Sequence, residues 1–553
     1  MKHQHHASRL NPRRGVVLIM VLVIVTMVSL AGFGFLSSMS TEYEAAKLNG
    51  HMRQAQQTMN SAEATLLWIA ELPERHRRAI GGLHHNPALF RSCAVPHLTA
   101  SVGESAAASM ASAPMPSANA QSPDSATADP TLAPDDRWRF SVVSIDHNTE
   151  QQRVLRFGLA NESGKIHLLR LLRWEQQQPG SVRLALMQLP GMTESAADSI
   201  LDWMDADDTP REFGAESEYY QALDRPYRPS NAVPQTLEEL LYVKGVSRAL
   251  MSGRSASRVS FTQPESSFSG NENSTNDNTS KNALPSDSAL SEEHSLPWNH
   301  YLTIYSAERD LNSLGTPRIA INASTIASLE QQLSMQLPEN VVRYILLAKA
   351  YGIRLDESSG VPSLSAPFSS SLPASFPITS LADLVDSTVH VSTPSGTIVV
   401  QSPLASSSPD FAELFALLMD RVSTQPERVI VGRVNVMLAS ESVLRMIPGM
   451  SVEQASQIVT LRATLDEMET RSIAWLLTRK VLDVSTFRKL FPEVTTGGDV
   501  FQAEIIVHRD IGGPTLRRNL VIDAAAQPAR RVYWTDETDA PVTFPLDVLK
   551  PQM

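Results

Sequence analysis

At 553 residues the chain exceeds a single core of ordinary size, so two or three domains are expected. Its 47 basic and 59 acidic residues give a net charge of −12, which argues against a nucleic-acid binder with a dominant basic face. The lone cysteine, Cys93, excludes an intrachain disulfide, so an exported domain must rely on its core, on metals or on partners.

No charged residue lies between Val16 and Phe35, and about 20 apolar residues are enough to cross a bilayer as a helix. Lys2, Arg9, Arg13 and Arg14 precede this run, which keeps the N-terminus cytoplasmic. A single-pass protein of the inner membrane is expected, with its bulk in the periplasm. The run is longer than the roughly 7 to 15 residues of a secretory signal core. From Glu42 to Leu72 there is no proline, and Met52, Ala55, Met59, Ala62, Leu66 and Ile69 recur at helical intervals. The membrane helix should therefore continue outwards as an amphipathic rod. Basic leader, glycine, apolar run and rod together resemble a prepilin-type signal. That resemblance implies cleavage by a prepilin peptidase between Gly15 and Val16; a single uncleaved anchor is the alternative. The segments read as 1–15 leader, 16–37 transmembrane half and 38–80 periplasmic half of one helix. Most pilins carry a glutamate at the fifth mature position, and here that position is Met20. A carboxylate at that depth is costly unless paired, and a subunit with no neighbour above it would not need one.

Farther along, 100–136 is rich in Ala, Ser and Pro, and 262–297 is rich in Ser, Asn and Glu. Both read as disordered linkers, lacking the large apolar residues that offset chain entropy. Apolar and polar residues alternate within 138–180 and again within 499–553, predicting strands. Helical patterns dominate 184–260, which holds an acidic loop, and 298–498. The expected fold class is α+β: a long N-terminal helix and an antiparallel sheet, with a large inserted α-helical domain.

The insertion contains a repeat. "LMQLPGMTESAADSILDW" and "VLRMIPGMSVEQASQIVTL" superpose without a gap, matching Pro190-Gly191-Met192 to Pro448-Gly449-Met450, and "LEELLYVKGVS" is a partial third copy. Proline and glycine between helix-period apolar residues give helix–hairpin–helix-like units. Such units often bind a DNA phosphate through hairpin N–H groups and nearby Lys or Arg. Here Glu194, Asp198 and Glu453 follow the turns, and Lys244 is the one favourably placed cation. No nucleic-acid partner is expected. A membrane-anchored DNA-binding protein of the competence type is the alternative reading.

"LDWMDADDTPREFGAESEYY" crowds Asp202, Asp205, Asp207, Asp208, Glu212, Glu216 and Glu218 where a helix ends and a loop begins. These charges oppose the helix dipole and repel one another, so solvent, Arg211, Arg225 and Arg228, or a hard cation must compensate. Calcium takes six to eight oxygens from flexible loops, although Thr209 breaks EF-hand spacing. A solvated acidic loop and a calcium loop both fit this spacing. No HExxH, GxSxG or P-loop pattern is present, and no enzymatic activity is expected.

From Pro190 to Gly245 the sequence resembles the K-type minor pseudopilins of type II secretion systems (GspK-like). It carries their hairpin, the "DWxDADDxPR…GAExxYY…PYRxxN" loop and "LxELLxVKG". The resemblance implies a pilin-like fold and a subunit at the tip of the periplasmic pseudopilus. Its partners would be the I- and J-type minor pseudopilins and the inner-membrane assembly platform. It also implies calcium in the acidic loop, for which Asp205, Asp207, Asp208 and Glu216 are the chosen ligands.

Overall fold

In the computed structural model the described residues are 14–94, 137–147, 153–252, 296–323, 325–355, 361–363, 366, 369, 371–394, 396–425, 427–509, 515–539 and 544–550. The 100–136 segment, nearly all of 262–297 and most of the 1–15 leader lie outside them.

One helix runs from Arg14 to Glu71. Beyond its first turn, each backbone N–H in the apolar run can pair with a carbonyl of the same helix, as a membrane span requires. It is long and apolar enough to cross a bilayer, and its side chains from Val17 to Leu36 are exposed. The helix stops short of residue 80. Pro73 disfavours helical geometry at Leu72, and a separate short helix, Glu74–Ala79, follows.

A seven-stranded sheet runs Cys93–Ala94, Trp138–His147, Val500–Arg509, Leu516–Asp523, Arg530–Asp536. Arg153–Phe157 pairs antiparallel with the second of these strands, and Ala160–Asn161 antiparallel with the third. Leu516–Asp523 and Arg530–Asp536 form an antiparallel pair with a register shift between Val521 and Ile522. Strands from residues 138–161 thus share a sheet with strands beyond residue 500, and the segment between them is an insertion. The fold is α+β, with a long N-terminal helix, an antiparallel sheet and further helices.

Two readings of the intermediate spans need correction. The stretch 138–180 is not strand throughout: Leu168–Gln177 is a helix, with Leu168, Leu171 and Trp174 buried at three-residue spacing. That spacing matches a helical stripe, which wins over the short alternation before it. The region 298–498 is not purely helical either. It includes a three-stranded sheet of Val361–Ser363, Thr388–Thr393 and Gly396–Gln401, together with short two-stranded ladders.

By compactness the described residues form two units, one holding the long helix as far as Ala62 with Ala94, 137–140, 507–509 and 515–516, the other holding the remaining described residues. In the first, Trp138 donates its indole N–H to Gln54 at 3.1 Å, and the Arg509 guanidinium stacks 5.4 Å from the Trp138 ring centre. In the second, one apolar core extends from Ile166 to Val494 and contains Trp174, Trp298 and Trp475. The indole N–H groups of Trp298 and Trp174 go to the Pro190 carbonyl and the Glu493 carboxylate, each at 2.8 Å, whereas the Trp475 N–H is buried without a hydrogen-bond partner among the described residues.

Each Pro-Gly of the repeat lies between two short helices. Ser181–Leu186 and Glu194–Met204 flank Gly191, and Glu441–Met446 and Val452–Leu461 flank Gly449. Gly191 has φ +66° and Gly449 φ +91°, which explains the residue type at both turns. The helices that follow are capped by side chains. Thr193 accepts from the Ala196 N–H at 3.1 Å, and Ser451 with Gln454 completes a reciprocal capping box.

Candidate functional site

The acidic loop grows from the end of helix Glu194–Met204. Every residue of that helix from Ala196 onwards is buried, so its two inward carboxylates, Asp198 and Asp202, need partners. Asp202, 0% exposed, is the hub of the returning chain. It accepts from Arg211 Nη1 at 2.6 Å, from the Arg211 N–H at 3.2 Å and from the Ala215 N–H at 2.9 Å. The loop approaches so closely that a Cβ on Gly214 would lie 1.8 Å from Asp202 Oδ2. Asp198 receives the Phe213 N–H at 3.2 Å.

Arg211 spans two carboxylates, giving the same Nη1 to Asp205 Oδ2 at 2.5 Å. Burial pushes the Asp202 and Asp205 carboxyls up despite the pull of Arg211. Asp205 Oδ1 is buried with no hydrogen-bond partner among the described residues. Asp207 is exposed, and its Oδ1 takes the Thr209 N–H at 2.9 Å in an Asx turn.

Glu216 is the most anomalous group. It is 3% exposed, and neither carboxylate oxygen has a hydrogen-bond partner among the described residues. Burial, followed by the charges of Asp202, Asp205, Asp208 and Asp207, pushes its carboxyl up to about 7. One oxygen each from Asp205, Asp207 and Glu216 falls within 4.8 Å of the other two. Asp208 lies outside this trio; it is exposed, and its Oδ1 accepts the Ser217 N–H at 3.2 Å.

Aromatic side chains back the loop: Trp203 packs edge-on against Tyr220 at 5.3 Å and Tyr227 at 6.2 Å. Lys244, the cation best placed for a phosphate, instead donates to the Phe213 and Gly214 carbonyls at 3.3 and 3.1 Å. These two bonds tie the Lys244 ammonium to the returning segment of the loop.

The acidic trio fits a hard cation on the chemistry of its donors. Its oxygens are acceptors only, several are buried and unpartnered, and three carboxylates converge, which is the ligand type calcium prefers. A bound divalent ion would supply the missing positive charge beside Glu216. The sequence marked Asp205, Asp207, Asp208 and Glu216 as ligands and Arg211 as a compensating charge; the converging trio leaves out Asp208. Sequence reasoning missed the hub role of Asp202, although that residue stands inside the "DW…PYRPSN" motif.

Residues 166–253, which include this loop, match the family model of Type II secretion system (T2SS), protein K. Over that segment the chain resembles protein K. A comparison with curated proteins finds no match. Among solved structures, the chain is similar to one from "The Crystal Structure of the GspK-GspI-GspJ complex from enterotoxigenic Escherichia coli Type 2 Secretion System". The identity is 10% and the TM-score 0.35, over 89% of this chain and 98% of the other.

Proposed function

We propose that this chain is a K-type minor pseudopilin, a structural subunit that starts assembly at the tip of a type II secretion pseudopilus. The observation that carries this reading is the protein K match over residues 166–253, in a chain that begins with a long apolar helix. The solved complex named above contains GspK, GspI and GspJ, so I- and J-type minor pseudopilins are the partners proposed here. The exposed apolar side chains from Val17 to Leu36 would lie in the inner membrane and then against sister helices, with the bulk of the chain periplasmic.

In the same reading the acidic loop holds a calcium ion through Asp205, Asp207 and Glu216, with Asp208 at its margin. The ion would tie the loop to the end of helix Glu194–Met204, a structural role. Gly15 and Val16 fall in the first turn of the long helix and form the proposed bond cut by the prepilin peptidase.

Processing tests this directly. Co-expressed with a prepilin peptidase, the wild-type chain should shorten by its leader, and Gly15→Ala should stay full length. Equal processing of both would remove the leader assignment. The competing reading, a DNA-binding periplasmic protein, requires salt-sensitive retardation of duplex DNA by the full chain; none is expected.

A further inference from the structure

A cavity of about 1040 Å³ opens within the second unit, and the strand Val429–Val431 forms part of its wall. This strand has one neighbour among the described residues, Ala307–Arg309, with Ile430 opposite Glu308. The Arg428 carbonyl accepts from the Asp310 N–H at 2.8 Å, and the Gly432 N–H donates to the Ser306 carbonyl at 3.0 Å. Antiparallel hydrogen bonds alternate along a strand. Arg428, Ile430 and Gly432 therefore face the ladder, while Val429 and Val431 turn their N–H and C=O groups to the other edge. That edge is unpaired among the described residues, and such an edge is a template for an added strand.

Positive charge gathers where the strand ends. Arg170, on helix Leu168–Gln177, passes beneath Gly432: its Cγ and Nε lie 2.9 and 3.2 Å from where a Cβ on that glycine would stand. Arg433 follows directly, and Arg173 stands one helical turn from Arg170. All three line the cavity. Glu308 pairs with Arg433, and Glu493 lies 3.5 Å from Arg170 Nη1 while also accepting the Trp174 indole N–H. Arg170 is 8% exposed, and its Nε is buried with no hydrogen-bond partner among the described residues. Burial holds its guanidinium below the ordinary value; Glu493 opposes this, and the charges of Arg173 and Arg433 add to it. Arg173 is exposed and has no carboxylate partner among the described residues. Three guanidiniums beside two carboxylates leave one positive charge to be matched. Other arginines of the wall are answered, Arg318 by Asp310 at 3.1 Å and Arg471 by Glu467 at 2.9 Å. Glu413 and Glu427 also line the cavity, but both are exposed, where water and salt screen them.

We propose that this cavity receives an extended acidic peptide segment of a partner protein. The segment adds a strand along Val429–Val431 and brings one carboxylate to the guanidiniums of Arg170, Arg173 and Arg433. Strand addition takes its affinity from main-chain hydrogen bonds and its specificity from the side chains. Guanidinium forks match a carboxylate through paired hydrogen bonds, which supplies that specificity. Leu169, Leu417 and Phe491, also in the wall, suit the uncharged side chains of such a segment. The acidic loop takes no part in this site, which is independent of the calcium reading.

Fluorescence anisotropy of the full-length chain in detergent tests this. The probes are a labelled peptide of alternating threonine and valine around one central glutamate, and its glutamine counterpart. Arg173→Gln removes a charge from an exposed side chain, and Val429→Pro removes an N–H that the ladder does not use, so both variants should fold. The wild type is expected to bind the glutamate peptide about tenfold or more tighter than the glutamine peptide. Arg173→Gln should lose most of that preference and keep its affinity for the glutamine peptide. Val429→Pro should weaken both peptides about tenfold. Equal binding of the two peptides by the wild type, or an unchanged preference in Arg173→Gln, would overturn the carboxylate role. Unchanged affinity in Val429→Pro would overturn strand addition; sodium acetate displacing the peptide at equal concentration would then mark a site for free carboxylates alone. Binding of neither peptide by the folded wild type would overturn the proposal outright.

Discussion

Glu216 shows how a single residue concentrates the physics of the site. It has a buried carboxylate, no donor and four acidic neighbours, so its proton is held up to about 7 against 4.5 for an ordinary glutamate. Between those values the ion-free folded chain keeps a proton that the unfolded chain has released. Ion-free stability should therefore fall as pH rises from about 4.5 through 7. Calcium would reverse this by favouring the charged form. Glu216→Gln is expected to raise the ion-free unfolding midpoint at pH 8 by several degrees and to abolish the calcium-induced rise. A variant that still responds to calcium like wild type would exclude Glu216 as a ligand. The sequence could mark this carboxylate but not its isolation. Which acid receives Arg211 depends on the chain folding back over Asp202 at Gly214, and that close approach is not written in any local pattern. For the same reason Asp208 looked equivalent to Asp205 in the sequence, yet the fold turns it outward to Ser217.

Among the elements, the end of the long helix has the clearest anchor. Asp499, buried at the start of strand Val500–Arg509, accepts from Arg77 at 2.7 Å and from Arg309 at 3.0 Å. Arg309 also donates to the Glu71 carbonyl at 3.0 Å, in the last turn of the helix. Burial alone would raise the Asp499 carboxyl, but the two guanidinium groups hold it below its usual range. Asp499→Asn would keep a similar shape and leave two buried cations without their counter-charge. It should cost about 3–5 kcal/mol, read as a lower urea midpoint for the full chain in detergent. An unchanged midpoint would show that this cluster does not anchor the helix. The helix itself was legible, since Ala55, Met59, Ala62, Leu66 and Ile69 all proved buried at the spacing that predicted it. Its end was marked by Pro73, yet the 38–80 reading carried it past that residue. The Arg77–Asp499–Arg309 cluster was not legible, because its members lie hundreds of positions apart.

For the whole molecule, the instructive feature is that the sheet closes across an insertion of more than half the chain. Alternation found the strands at both ends, including the three beyond residue 499. Nothing local says that Phe501 pairs with Asn161, as it does in the sheet. Nor did local pattern separate true helix from the short ladders within 298–498, where two- and three-residue strands are too brief to show a period. The resemblance to protein K was legible for a different reason. The "DWMDADD" loop and its returning "GAE" segment form one closed structure around Asp202, so the motif that carries the resemblance to protein K is also a physical unit. The central claim is that this unit belongs to a minor pseudopilin that assembles with I- and J-type partners. Co-expression of the full chain with I- and J-type minor pseudopilins, followed by affinity capture on this chain and mass measurement in detergent, tests it most directly. A single complex containing all three proteins is predicted. Recovery of this chain without either partner, under conditions where both are expressed and folded, would contradict it.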